Sequence, residues 1–342
     1  MAIYIDGELK RVGLALSGGG FRAAAFHLGV FRKLRQLGIL WQVDLLSCVS
    51  GGSIAGAFLA ANWGDDNALD RLHNYLASKS VAVSSALMGA LNPFSTRLDE
   101  LAKTYDRDLF DGATLGALAG GPRVYLNATN MSTGNMFFFV SGGGLPSEIG
   151  EHEMGTTEAP DFPLAKAVAA SSAFPPVFPP LRIDQDIFPS DAVDFVTLTD
   201  GGVYDNLGVN PLLRLERNAL DFAIVSDAGK PFEIEEEPTE SGAVVLKSSI
   251  NILMEQVRGL QFKRLELSWR AEEGPKPLWF SIDSAFGEQN PGDAVFASNV
   301  RTHLKKLKRE ELAILDRHAQ GLLTHRIDTY APEVLRAGQG NA

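Results

Sequence analysis

The chain has 342 residues, with 31 basic and 42 acidic side chains and a formal net charge of −11. Hydrophobic residues make up 45% and charged residues 21%, globular proportions that exclude a disordered chain. The acidic balance excludes a nucleic-acid polymer as a general partner, because phosphate binding needs clustered Lys and Arg. A single cysteine, Cys48, excludes an internal disulfide and a Cys-rich zinc site and suits a reducing cytosol. The start Met-Ala-Ile-Tyr-Ile-Asp-Gly-Glu lacks the basic and apolar regions of a signal peptide. No uninterrupted apolar run is long enough to span a membrane as a helix. The expectation is a cytoplasmic protein whose contact with membranes is peripheral.

In chain order, residues 11–17 form a short buried strand, and three glycines lead into an amphipathic helix from Phe21 to Leu37, stopped by Gly38. A second buried strand spans 43–49, and Ser50-Gly51-Gly52 turns the chain into a helix from Ser53 to Trp63. This strand-turn-helix repeat predicts a mostly parallel sheet with helices on both faces. Residues 64–121 show no strand pattern and are expected to be a helical insertion, with the apolar stretch Val81–Leu91 inside it. Strands are expected at 123–128 and 136–140, a polar loop at 141–160 and a helix at 164–172. The prolines of Phe174–Pro180 exclude regular helix there. A strand at 195–199 ends at Asp200-Gly201-Gly202, a helix begins at 211–217, and another buried strand covers 221–226. Helix (244–264), strand (278–282) and helix (293–322) complete the pattern, so a single α/β domain over residues 1–342 is expected.

Gly18-Gly19-Gly20-Phe21-Arg22 lies between a strand and a helix, where backbone N–H groups bind an anion or an oxyanion formed in acyl transfer. Gly18-x-Gly20-x-x-Ala23 also fits a dinucleotide loop, but the next strand ends at Val49-Ser50 without the acid that would hold a ribose. Ser50 occupies the turn from a buried strand into a helix of small residues, the geometry of a nucleophile elbow. Cys48 replaces the first glycine of G-x-S-x-G, and Ser53 offers a competing frame. Ser50 is favoured because it falls at the strand end, whereas Ser53 belongs to the first helical turn. None of the six histidines sits in a strand-end loop with a glycine companion, and Glu151-His152-Glu153 is a weak candidate for metal. Asp200 follows a strand, where α/β sheets put their sites; alone, its Asp-Gly-Gly would be a simple turn.

The segments Leu14–Arg22, Ser50–Ser53 and Asp200–Gly202, with Ala169–Pro176 between them, together resemble the patatin-like phospholipase family over residues 10–230. The resemblance implies a patatin-like fold related to the α/β-hydrolases, and a lipid acyl hydrolase with a Ser-Asp dyad, no catalytic histidine, no metal and no cofactor. It implies Ser50 as nucleophile, Asp200 as its base, the Gly18, Gly19 and Gly20 backbone as oxyanion hole, and Arg22 as a basic residue holding the glycine loop or a substrate phosphate. Membrane phospholipid is the expected substrate, met at the inner membrane surface, with Val81–Leu91 and Phe174–Leu181 as candidates for the acyl pocket. A non-phospholipid esterase is one alternative. Another is an antiviral effector phospholipase gated by a cyclic oligonucleotide or by oligomerisation.

Overall fold

A computed structural model describes residues 3–334 apart from residues 6, 82–95, 215 and 233–240. Short strands β1 (Ile3–Ile5) and β2 (Glu8–Lys10) pair as a hairpin before the main sheet begins. The parallel part of that sheet has the order β12 (Lys276–Ser281), β11 (Phe222–Asp227), β3 (Val12–Leu16), β4 (Leu45–Val49), β5 (Arg123–Asn130). From β5 the sheet continues antiparallel through β6 (Met136–Gly142), β7 (Leu145–Glu151) and β8 (Gly155–Glu158). Strands β9 (Leu181–Asp184) and β10 (Phe195–Asp200) branch from β5, to which β10 pairs antiparallel.

Residue alternation along the strands divides the interior into two cores, because successive side chains point to opposite faces. Leu14, Leu16, Leu46, Cys48, Val124, Leu126 and Ile224 enter the larger core, which also holds helices α1 (Gly20–Gln36), α2 (Gly51–Ala61) and α3 (Ala68–Ser78). Ala15, Leu45, Tyr125, Phe138 and Val225 face the smaller core beneath Leu212 and Leu265. Helices therefore cover both faces, as a parallel sheet of near-continuous apolar strands requires.

Four expectations are corrected. Residues 141–160 are not a loop: they hold β7 and β8, whose polar, half-solvated residues conceal the strand pattern. The expected helix at 211–217 is only a 3₁₀ turn at Asn210–Leu213. Residues 293–322 form two helices, Asp293–Asn299 and Arg309–Tyr330. The chain between them is spent on tertiary contacts, since the His303 carbonyl accepts from Phe21 N–H at 2.9 Å and that of Leu304 from Val81 N–H at 2.8 Å. The fourth, concerning Arg22, belongs to the site. Within 64–121 the described elements are helical: α3, α4 (Arg97–Tyr105) with its Thr96 capping box, a π turn and a 3₁₀ turn. Of the candidate stretch Val81–Leu91, Val81 is buried and residues 82–91 lie outside the described residues.

Candidate active site

Ser50 stands at the end of β4 and the start of α2, with φ 52° and ψ −113°. A non-glycine residue at positive φ is uncommon and costs about 1–3 kcal/mol, so surrounding contacts must hold it there. Ser50 N–H donates to Ser171 Oγ at 3.0 Å, and Ser171 Oγ donates to the Asn127 carbonyl at 2.6 Å. The Ser53 hydroxyl meets Ser171 Oγ at 2.7 Å and is fully buried, while Ser50 is half-buried. Of the two serine frames, Ser50 is the one open to a substrate. The cysteine in place of the first elbow glycine is accommodated by Gly56, where a Cβ would come within 2.3 Å of Cys48 Sγ. Burial pushes the Cys48 thiol well above its ordinary pKa, which leaves it inert.

The glycine loop lies against this turn. A Cβ on Gly51 would sit 2.2 Å from the Gly20 carbonyl oxygen, and one on Gly18 would sit 3.2 Å from Ser50 Cβ. Only glycine permits such backbone approach. Two helix N-termini, those of α1 and α2, converge here without an acidic residue in either first turn, so partial positive charge is focused beside Ser50. The three glycines are not equivalent. Gly18 N–H donates to the Asn206 carbonyl at 3.1 Å and is already engaged, whereas the Gly19 and Gly20 amides have no acceptor among the described residues. Gly19 has φ 142°, which places it where side chains other than hydrogen are strained.

Asp200 reaches Ser50 through strand pairing. β4 runs parallel to β5 and ends with Val49 opposite Asn127. β10 runs antiparallel to β5 and ends with Asp200 opposite Ala128, the next residue along. The two strands thus approach each other head-on along β5 and bring their C-termini together. Packing agrees with this closeness: a Cβ on Gly201 would fall 2.3 Å from the Asn127 carbonyl and 3.3 Å from Val49 Cγ1. Asp200 is 2% exposed, and Gly202 N–H donates to Oδ1 at 2.7 Å. Burial raises its pKa to about 7, opposed by that amide and by the Ser50 hydroxyl. The hydroxyl is near enough to act on the carboxylate, yet Oδ2 has no well-formed hydrogen bond. An acid with one lone-pair edge unsatisfied beside a serine is set up to take a proton from it.

The following turn is tied down by Asp205. Its buried carboxylate accepts from the N–H groups of Leu207 and Gly208, each at 3.1 Å, and from Asn210 Nδ2 at 2.7 Å.

Arg22 does not face a substrate. Its side chain is fully buried, with Nη2 donating to the Ala228 carbonyl at 2.9 Å and Nη1 to that of Val300 at 3.1 Å. A Cβ on Gly19 would come 3.0 Å from Arg22 Nη2, so the side chain packs against the glycine loop, and the expectation of a phosphate contact is corrected on this ground. Replacing Arg22 with alanine is expected to destabilise the fold by about 3 kcal/mol, since two buried carbonyls lose a charged donor. Arg22→Lys should recover part of this, because an ammonium lacks the planar fork. Denaturant unfolding checks the stability, and kcat/KM should fall equally on phospholipid and on an uncharged ester. A loss confined to phospholipid would return Arg22 to the substrate.

His27 completes the support. Burial lowers its pKa to about 4, so the ring is neutral. Nε2–H donates to the Ser17 carbonyl at 2.9 Å, and Nδ1 accepts from the Ser226 hydroxyl at the same distance. Among the described residues no histidine hydrogen-bonds Ser50 or Asp200. Nor, among them, do three or more His, Cys, Asp or Glu side chains gather as a metal set; Glu151 instead accepts from Asn130 and Thr133, each at 2.8 Å.

Ser171 is the residue that reading by sequence pattern misses. It is the last residue of helix α5 (Leu164–Ser171) and falls within the Ala169–Pro176 segment, but nothing in that segment's pattern points to a contact with Ser50. Ser171→Ala should lower kcat by about 10- to 100-fold with KM little changed, because the strained turn loses its anchor while the substrate surface stays. Steady-state kinetics would show this, and wild-type kcat would remove Ser171 from the site.

A parallel sheet carrying a strained serine turn beside a glycine loop defines an α/β protein of the patatin fold. The sequence profile of the family "Patatin-like phospholipase" matches residues 14–213, and the chain belongs to that family. Among solved structures, human GIVD cytosolic phospholipase A2 is similar in fold, with TM-score 0.60 and 15% identity over 97% of this chain and 61% of that one. The same human enzyme in complex with methyl gamma-linolenyl fluorophosphonate also matches, with TM-score 0.60 and 15% identity over 97% of this chain and 60% of that one. The chain thus spans about three fifths of the length of these structures. A search of curated protein sequences found no match.

Proposed function

We propose that this protein is a serine hydrolase that cleaves carboxylic esters of membrane phospholipids. The observation that carries the reading is the head-on meeting of β4 and β10, which sets a buried, half-satisfied Asp200 beside Ser50. Ser50 Oγ attacks the ester carbonyl as its proton passes to Asp200. The resulting oxyanion accepts hydrogen bonds from the Gly19 and Gly20 amides, in the combined field of two helix N-termini. Gly18 contributes shape rather than a donor, its amide being held by Asn206. Collapse of the tetrahedral intermediate expels the alcohol, which takes the proton from Asp200 and leaves an acyl-enzyme on Ser50. Water, deprotonated by the same carboxylate, then releases the fatty acid.

A cavity of about 710 Å³ supports an apolar substrate. Pro175, Phe178 and Pro180 of the proline segment line it, together with Val203, Val257 and Leu260. It borders the Asp200 turn through Thr199 and Val203, although Ser50 itself is not part of its wall.

The test is twofold. Reaction with a fluorophosphonate should place the adduct on Ser50 itself, located by fragmenting the labelled peptide. Mass spectrometry of phospholipid products should then show free fatty acid and lysolipid. Labelling of Ser53, or turnover of small esters with none of phospholipid, would overturn the nucleophile or the substrate respectively.

A further inference from the structure

The helix Gly242–Arg270, here α6, is 29 residues long, yet Leu265 is the one fully buried residue among its described side chains. Its inner side touches the site, since Met254 Cε lies 3.2 Å from where a Cβ of Gly202 would be and Val257 lines the cavity; Leu260 lines it too but is 69% exposed, so it stands where the cavity and the outer side meet. Its outer side is apolar. Leu253, Leu260 and Leu267 are 64%, 69% and 52% exposed and recur every seven residues, flanked by exposed Val245 and Ile252. A seven-residue spacing keeps them on one stripe of the helix. Among the described residues the charges on and beside this stripe are mainly basic. Lys263, Arg264 and Arg270 are exposed, with Glu266 between Lys263 and Arg270. Arg258 of the same helix is turned away to the buried Asp227 at 2.6 Å, so the exposed surplus is that of Lys263, Arg264 and Arg270 over Glu266, in a chain whose net charge is −11.

We propose that this stripe is the face on which the protein docks to an anionic lipid bilayer. The inference rests on the lipid reading above and gives it a surface. An exposed apolar stripe edged by Lys and Arg is the pattern of a helix lying in the membrane interface. The local positive charge complements anionic headgroups, whereas an identical helix from a second copy would bring like cations together. The position also fits, because the same helix that meets the bilayer walls the apolar cavity beside Asp200. Docking there would put the cavity mouth against the lipid.

Binding is measured on the Ser50→Ala protein, so that vesicles are not consumed and the result does not depend on catalysis. The probes are vesicles of phosphatidylcholine alone and of phosphatidylcholine with phosphatidylglycerol, in a flotation assay. The protein should bind the anionic vesicles more tightly, and added salt should weaken that binding. Adding Leu253→Asp and Leu267→Asp should weaken it by about tenfold or more. The milder pair Leu253→Ala and Leu267→Ala should give an intermediate loss and guards against misfolding. In the Ser50 background both pairs should turn over a monomeric, water-soluble ester within about twofold of wild type, since neither residue lines the cavity. Unchanged vesicle binding in both pairs would overturn the proposal. So would a stable dimer in sedimentation that the aspartate pair converts to monomer, which would make the stripe a seam between copies. A protein that docks as expected but hydrolyses no ester would instead overturn the catalytic reading and leave the docking face standing.

Discussion

Replacing Ser50 with alanine is expected to abolish ester hydrolysis and leave the fold intact. The expected loss is about 10⁴-fold or more, because removing a nucleophile takes away the covalent route and leaves only binding and the oxyanion donors. The fold should survive because the contacts that hold this turn run through its backbone. Ser50 N–H, not Oγ, is bonded to Ser171, and the Ser50 carbonyl accepts from Ser53 N–H at 2.9 Å and Ile54 N–H at 3.2 Å. Alanine keeps all three and has the same Cβ. Stability should therefore change by no more than about 1 kcal/mol. Thermal unfolding beside the lipid-product assay separates the two effects. Wild-type turnover by Ser50→Ala, with Ser53→Ala inactive, would move the nucleophile to the neighbouring frame.

Asp200→Asn is expected to lose about 10³–10⁴-fold in kcat, since an amide cannot take the serine proton. The buried carboxyl has a second, opposite consequence. Burial raises its folded-state pKa to about 7, above the ordinary 3.8. The folded protein then holds a proton that the unfolded chain releases between those two values. Its contribution to stability is complete below about pH 4, declines as pH rises towards 7 and is flat above that. At pH 8 the ionised, buried Asp200 costs at most about 4 kcal/mol of stability. Asp200→Asn should consequently unfold at a higher temperature than wild type at pH 8 and at nearly the same temperature at pH 4. Activity runs the other way with pH. Only the carboxylate is a base, so wild-type kcat/KM should rise about tenfold per pH unit below 7 and level off above it. An activity profile flat from pH 5 to 8, or an Asp200→Asn protein no more stable at pH 8, would show that Asp200 is not a buried base.

Site chemistry that depends on local backbone is legible in the order of residues alone. A strand ending in three glycines, and another ending in Ser-Gly-Gly, announce tight turns into helices, because only small residues tolerate those turns. Alternation does not show in β3, β4 and β11, since both faces are covered and the strands are apolar throughout, yet their length and glycine boundaries are enough to find them. The polar strands β7 and β8 escape such a reading, because β7 is exposed where it begins and β8 along most of its length, and their residues resemble a loop.

Tertiary structure decides what lies far apart in sequence. Ser50 and Asp200 are 150 positions apart, and their meeting depends on β10 pairing antiparallel to β5 just where β4 stops. No local pattern encodes that register. The same holds for Arg22, whose guanidinium turns inward to the Ala228 and Val300 carbonyls, and for the Gly18 amide, which Asn206 occupies. A sequence states which side chains and turns are available. Burial and long-range pairing determine which donors are already engaged and which carboxylate is left short of a hydrogen bond, and those two conditions make the site.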